Sequence, residues 1–109
     1  MAQFDVHRNK GALRESIPFV VLVQSAQFDR YRRRIVVPLV RRSALPGNMR
    51  TVGSRMNPTF QVGGIDVVLH PLDMVSTAMD QLGEQVGSLA DQGQTITDAL
   101  DELLTRSWG

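Results

Sequence analysis

Two runs rich in β-branched residues, Ile17 to Val23 and Ile35 to Val40, set the character of this 109-residue chain. Branching at Cβ favours extended backbone, so each run predicts a strand. The first is nearly continuous in apolar residues and reads as a central strand beginning at Pro18. The second contains Pro38, which has no N–H to give to a ladder and points to an edge or a bulge. Between them lies SAQFDRYRRR at 25–34, a polar connection that includes Phe28 and Tyr31.

Shorter signals flank these runs. Phe4-Asp5-Val6 alternates apolar and polar as a half-buried strand does, and the NKG that follows breaks it. LPGN at 45–48 is a turn, and residues 41–58 read as irregular. Thr59 to Val62 and Ile65 to Leu69 flank Gly63-Gly64, a pair that permits the positive φ of a two-residue hairpin. In MVSTAMDQLGEQVGSL at 74–89 the apolar positions fit a helix, whereas Gly83 and Gly87 count against one.

The last segment predicts a helix over about 94–107. Ile96, Ala99, Leu100, Leu103 and Leu104 fall on one apolar stripe. Thr95 followed by Asp98 forms a loose capping box, and Asp98, Asp101 and Glu102 face away from the stripe toward solvent. Five or six short strands and one terminal helix make a mainly β, α+β chain, expected as a single domain over 1–109. At about 100° per residue, Ser107 continues the stripe and Trp108 points roughly 110° from its centre. Trp108 therefore reads either as an interface anchor or as a side chain folded back onto a neighbouring strand.

The net charge of +1 conceals a division. Residues 1–55 hold 11 of the 12 basic groups against Asp5, Glu15 and Asp29, a balance of +8. Residues 56–109 hold Arg106 against eight acids, a balance of −7. Either the halves neutralise each other on one surface, or a basic face meets an acidic partner or nucleic acid.

Several chemistries are excluded. Without cysteine there is no disulfide, thiolate or cysteine-based metal site. His7 and His70 lack metal-ligand spacing and read as surface or structural groups. No phosphate-binding glycine loop and no GxSxG elbow occurs. Arg30, Arg32, Arg33 and Arg34 with Tyr31 form either a phosphate-binding loop or an exposed basic loop without such a role. The longest apolar run, Phe19 to Val23, is far below the ~20 residues of a membrane span. The N-terminal MAQFDVHRNK lacks a signal-like apolar stretch, so a cytoplasmic protein is expected.

Taken in order, the segments QFDV at 3–6, FVVLVQS at 19–25, RRIVVPL at 33–39, DM at 73–74, LGEQVGSL at 82–89 and WG at 108–109 resemble the CcdB family of toxins. The resemblance implies an SH3-like β-barrel with a small extra sheet and a C-terminal helix, assembled as a homodimer. It also implies a strand within 74–81, with Gly83 just after it. The implied function is binding to the A subunit of DNA gyrase and trapping of its cleaved-DNA complex, so that nucleic acid is engaged only through gyrase. The implied toxin is not a catalyst and needs no cofactor or metal, and a cognate antitoxin with a disordered tail removes it from gyrase.

By the same resemblance, gyrase contacts fall at the helix end, on Leu104, Ser107, Trp108 and Gly109, and in the loop holding Gln27 and Phe28. An acidic antitoxin tail suits the basic 8–15 segment with Arg8, Lys10 and Arg14. The chain departs from the family at these places. Ser107 stands for a bulky aromatic, no isoleucine follows Gly109, the helix is about one turn longer, and Gln27 and Phe28 replace aliphatic residues. Two alternatives therefore remain: a messenger-RNA-cleaving ribonuclease toxin of a related barrel, with Arg30–Arg34 as its basic groove, or a CcdB-like protein that has lost gyrase poisoning.

Overall fold

Seven antiparallel strands and a C-terminal helix are seen in a computed structural model that describes residues 2–106. The expectations placed on Ser107, Trp108 and Gly109 lie outside the described residues. The strands are β1 (Asp5–Asn9), β2 (Phe19–Leu22), β3 (Arg33–Arg41), β4 (Thr59–Val62), β5 (Ile65–Leu69), β6 (Val75–Ala78) and β7 (Leu82–Ser88). Their order is β4-β5-β3-β2-β1-β7, with β6 branching from β3. The sheet curls into a half-barrel of SH3-like α+β architecture, closed by helix α1 (Gly93–Asp101).

The near-continuous apolar run of β2 arises because the strand is covered on both faces. Phe19 and Val21 enter the main core with Val6, Val37, Leu39, Val67, Leu69, Ile96 and Ala99. Val20 and Leu22 point the other way and meet Val36 and Leu82 in a second cluster. The Gly63-Gly64 turn is as expected, with φ of 56° and 80° joining β4 to β5.

Pro38 occupies neither an edge nor a bulge. It lies inside β3, paired with Val20 of β2, where the opposite side of β3 changes partner. Arg33 to Val36 pair with β6, and Leu39 to Arg41 pair with β5. The missing N–H falls in the gap between these two partners, while Pro38 O accepts from His70 N at 3.0 Å. The small extra sheet is this β6 branch, continuous with the barrel sheet through β3.

The first strand starts at Asp5 rather than Phe4. Phe4 has φ of 71°, uncommon for a residue with a Cβ. Two backbone bonds pin it there, from Phe4 N to Leu22 O and from Leu89 N to Phe4 O. The 74–81 region contains β6 as expected, but residues 82–88 form a further strand, β7, against β1. Helical spacing of apolar residues in 74–89 is thus overridden by tertiary pairing.

The helix also differs from the sequence reading. It begins at Gly93, so Thr95 sits inside it, and no side chain caps its start. Asp98 instead accepts from Gln94 Nε2 at 3.0 Å. The α-helical turn ends at Asp101 and continues as a π-helical turn over Glu102–Arg106. There Thr105 Oγ1 donates to Asp101 O at 2.9 Å, using the acceptor that an α-helical amide at 105 would take. Ile96 and Ala99 are fully buried, Leu100 and Leu103 are half-buried, and Leu104 is 63% exposed.

Candidate functional site

The connection between β2 and β3 turns through a short 3-10 segment, Ala26–Phe28, which carries Gln27 and Phe28. Gln27 is exposed, and Phe28 is half-buried with its ring tilted against Tyr31, centroids 5.9 Å apart. Tyr31 is itself 63% exposed. A turn this polar has little apolar burial to hold its shape, so polar bonds must do so.

Arg34 provides them. Period-two alternation along β3 places it on the same side as Val36, and its side chain is fully buried. Its guanidinium donates to Gln24 O and Ser25 O, each at 3.1 Å, to Gln24 Oε1 at 3.4 Å, and to the Asp29 carboxylate. Gln24 Oε1 also accepts from Ile35 N at 2.9 Å. The planar fork of arginine can meet several acceptors at once, which a lysine ammonium cannot do in this geometry. Bonding to the α-amino group and to the Arg34 guanidinium holds the Asp29 carboxyl below its ordinary pKa, outweighing desolvation.

This finding corrects the reading of Arg30–Arg34 as one exposed basic loop. Arg34 is inside the fold, and Arg33 is bound to Ser76 through its Oγ at 2.8 Å and its carbonyl at 2.6 Å. Arg30, Arg32 and Arg33 are exposed, Arg33 with its guanidinium laid against Ser76. No paired acid and base stands beside them among the described residues. His7 lies within β1 and is buried, with Nδ1 3.0 Å from Gly83 O, and His70 is half-buried, with Nδ1 3.1 Å from the Asp73 carboxylate.

At the other end of the chain, Leu104 projects from the π-helical turn. Within one chain, no hydrogen bond or ion pair among the described residues joins this helix end to the Gln27–Phe28 turn. The acidic side of the helix is tied elsewhere. Arg55 lies 3.6 Å from Asp98 and 3.7 Å from Glu102, and Arg8 lies 2.8 Å from Glu84. Basic first half and acidic second half thus neutralise each other at these points.

A second surface opens on the far side of the sheet from the main core. It is an apolar groove of about 660 Å³ lined by Leu13, Ile17, Val20, Val36, Leu72 and Val75. Leu13, Leu72 and Val75 are 64%, 69% and 51% exposed, unusual for large aliphatic side chains standing together. Arg8 and Lys10 stand on its rim, whereas Arg14 does not line it and bonds back to Gly11 O at 3.4 Å. Leu13 and Leu72 lie in turns, where single aliphatic residues carry no periodicity, so sequence alone did not reveal this groove. Arg34 was detectable in principle, as a charge in phase with Val36 and Pro38.

No helix among the described residues is long and apolar enough to cross a membrane, and no three potential metal ligands cluster. A search of curated proteins finds no match. The family model described as "CcdB protein" matches residues 3–106. That match spans β1 to the end of the helical segment, including the Arg34-held turn and the groove. The chain therefore belongs to the CcdB family, the toxins of toxin–antitoxin pairs.

Proposed function

We propose that the chain is a gyrase-poisoning toxin that binds the A subunit as a homodimer and traps the cleaved-DNA complex. The family match over residues 3–106 is the observation that carries this reading. Two local features support it. The turn bearing Gln27 and Phe28 is held rigidly by buried Arg34, and rigid side chains bind at lower entropic cost. The helix end carries exposed Leu104 ahead of Ser107, Trp108 and Gly109, and tryptophan is favoured as an interface anchor. A two-fold axis would present both features twice.

In this reading the protein is not itself a catalyst, works in the cytoplasm without cofactor or metal, and meets DNA only through gyrase. The ribonuclease alternative gains nothing from Arg34, whose guanidinium is buried, and the exposed Arg33 guanidinium is already bonded to Ser76. The antitoxin's acidic, disordered tail lies along the apolar groove, with Arg8 and Lys10 at its rim and Arg14 nearby in sequence. Leu13, Leu72 and Val75 supply the apolar burial that pays for ordering such a tail.

A cleavage assay tests the function. With gyrase, supercoiled plasmid and ATP, the purified protein should accumulate linear DNA after detergent and protease treatment. Absence of linear product at saturating protein, together with cleavage of messenger RNA, would favour the ribonuclease alternative. Absence of both would leave a CcdB fold without poisoning activity.

A further inference from the structure

We propose that Arg34 is a positioning residue, whose buried guanidinium holds the 24–29 turn in the shape that presents Gln27 and Phe28 to the partner. The inference rests on the gyrase reading for the identity of that partner, but its physical basis is independent of it. Arg34 touches neither Gln27 nor Phe28 by any hydrogen bond. It bonds instead on both sides of them, to the carbonyls of Gln24 and Ser25 before the 3-10 segment and to Asp29 after it. One guanidinium therefore fixes both ends of a six-residue arc from Gln24 to Asp29.

Besides the bond of Asp29 to the α-amino group, the segment is held mainly by local contacts. No residue of Ala26–Phe28 is buried, and no side chain caps its start. Its own backbone bonds are short-range, from Phe28 N to Ser25 O, Asp29 N to Ala26 O and Tyr31 N to Phe28 O. Gln24 adds a second tie, since its Oε1 accepts from both Ile35 N and Arg34 Nε. The turn is thus fastened to β3 through Arg34 and Gln24, while its two candidate contact residues project from the middle.

A partner that reads this arc finds it already formed. Loosening the clamp lowers the fraction of molecules in the competent shape, and apparent affinity falls in proportion to that fraction. Such a loss appears in the association rate, whereas loss of a contact side chain appears in dissociation.

The test uses Asp29→Asn and Arg34→Lys in the full chain, with Phe28→Ala for comparison. Asp29→Asn leaves the Gln24 and Ser25 carbonyls bonded, so it loosens one end of the arc without emptying a buried site. Amide exchange at residues 26–31 and binding kinetics on a gyrase A-subunit fragment are measured together. Both clamp variants should exchange faster at 26–31 alone and associate about tenfold more slowly, with dissociation changed less than about twofold. Phe28→Ala should show the opposite kinetic pattern. Unchanged exchange in both clamp variants overturns the proposal, and so does faster exchange with an unchanged association rate. If the wild type does not bind while the clamp variants exchange as expected, the gyrase reading fails and the positioning of the turn by Arg34 stands.

Discussion

A Cβ built on Gly83 would lie 2.6 Å from the carbonyl oxygen of Arg8, so the backbones of β7 and β1 are in direct contact at that point. The pairing register of the two strands shifts there, between His7 and Asn9, and the Gly83 carbonyl faces His7 Nδ1 at 3.0 Å. Only a residue without a side chain permits this approach. Gly87, four residues along the same strand, has nothing within 4 Å of its hypothetical Cβ.

Gly83→Ala should therefore destabilise the fold by about 1–3 kcal/mol, because the obstruction is main chain and cannot rotate away. Gly87→Ala should be neutral or stabilise by up to about 1 kcal/mol. Chemical denaturation of the two variants separates the cases, and equal effects would contradict the close approach at Gly83.

Arg55 links the irregular 45–58 segment to the helix through Asp98 and Glu102, but its side chain is 48% exposed. Exposed pairs at these distances contribute less than about 1 kcal/mol and are screened by salt. Arg55→Ala should lower stability by no more than that, with the difference shrinking in about 1 M salt. A loss above about 2 kcal/mol would mean that the latch holds more than a surface pair.

Acid should loosen the turn that Arg34 holds. The Asp29 carboxyl is shifted downward by its bonded neighbours, with the α-amino group first and Arg34 next. Such a group stabilises fully above its unfolded pKa, about 3.9, and that stabilisation is lost as pH falls through the lower folded-state value. Amide chemical shifts at 24–29 should be constant from neutral pH to about pH 5 and change below about pH 4. Asp29→Asn should abolish the change, and a midpoint near pH 6 would contradict the assignment.

Much of the barrel was legible because it obeys local rules. Gly63-Gly64 and its flanking apolar residues specify a hairpin by backbone conformation alone, and the runs at 17–23 and 35–40 specify strands by branching. β7 was not legible, because Gly83 is required by contact with a strand 75 residues earlier rather than by anything beside it. Pro38 was misread for a similar reason. Its lost N–H is harmless only because β6 and β5 part company there. Among site residues, Gln27, Phe28 and Leu104 were placed by resemblance, while the buried state of Arg34 depended on which side of β3 is covered.

The gyrase reading turns on binding of the purified protein to a gyrase A-subunit fragment, measured beside Trp108→Ala. The wild type should bind, and the variant should lose about 30-fold or more in affinity, as an interface anchor does, with an unchanged melting temperature. A wild type that does not bind, or a variant that binds as well as the wild type, would contradict it.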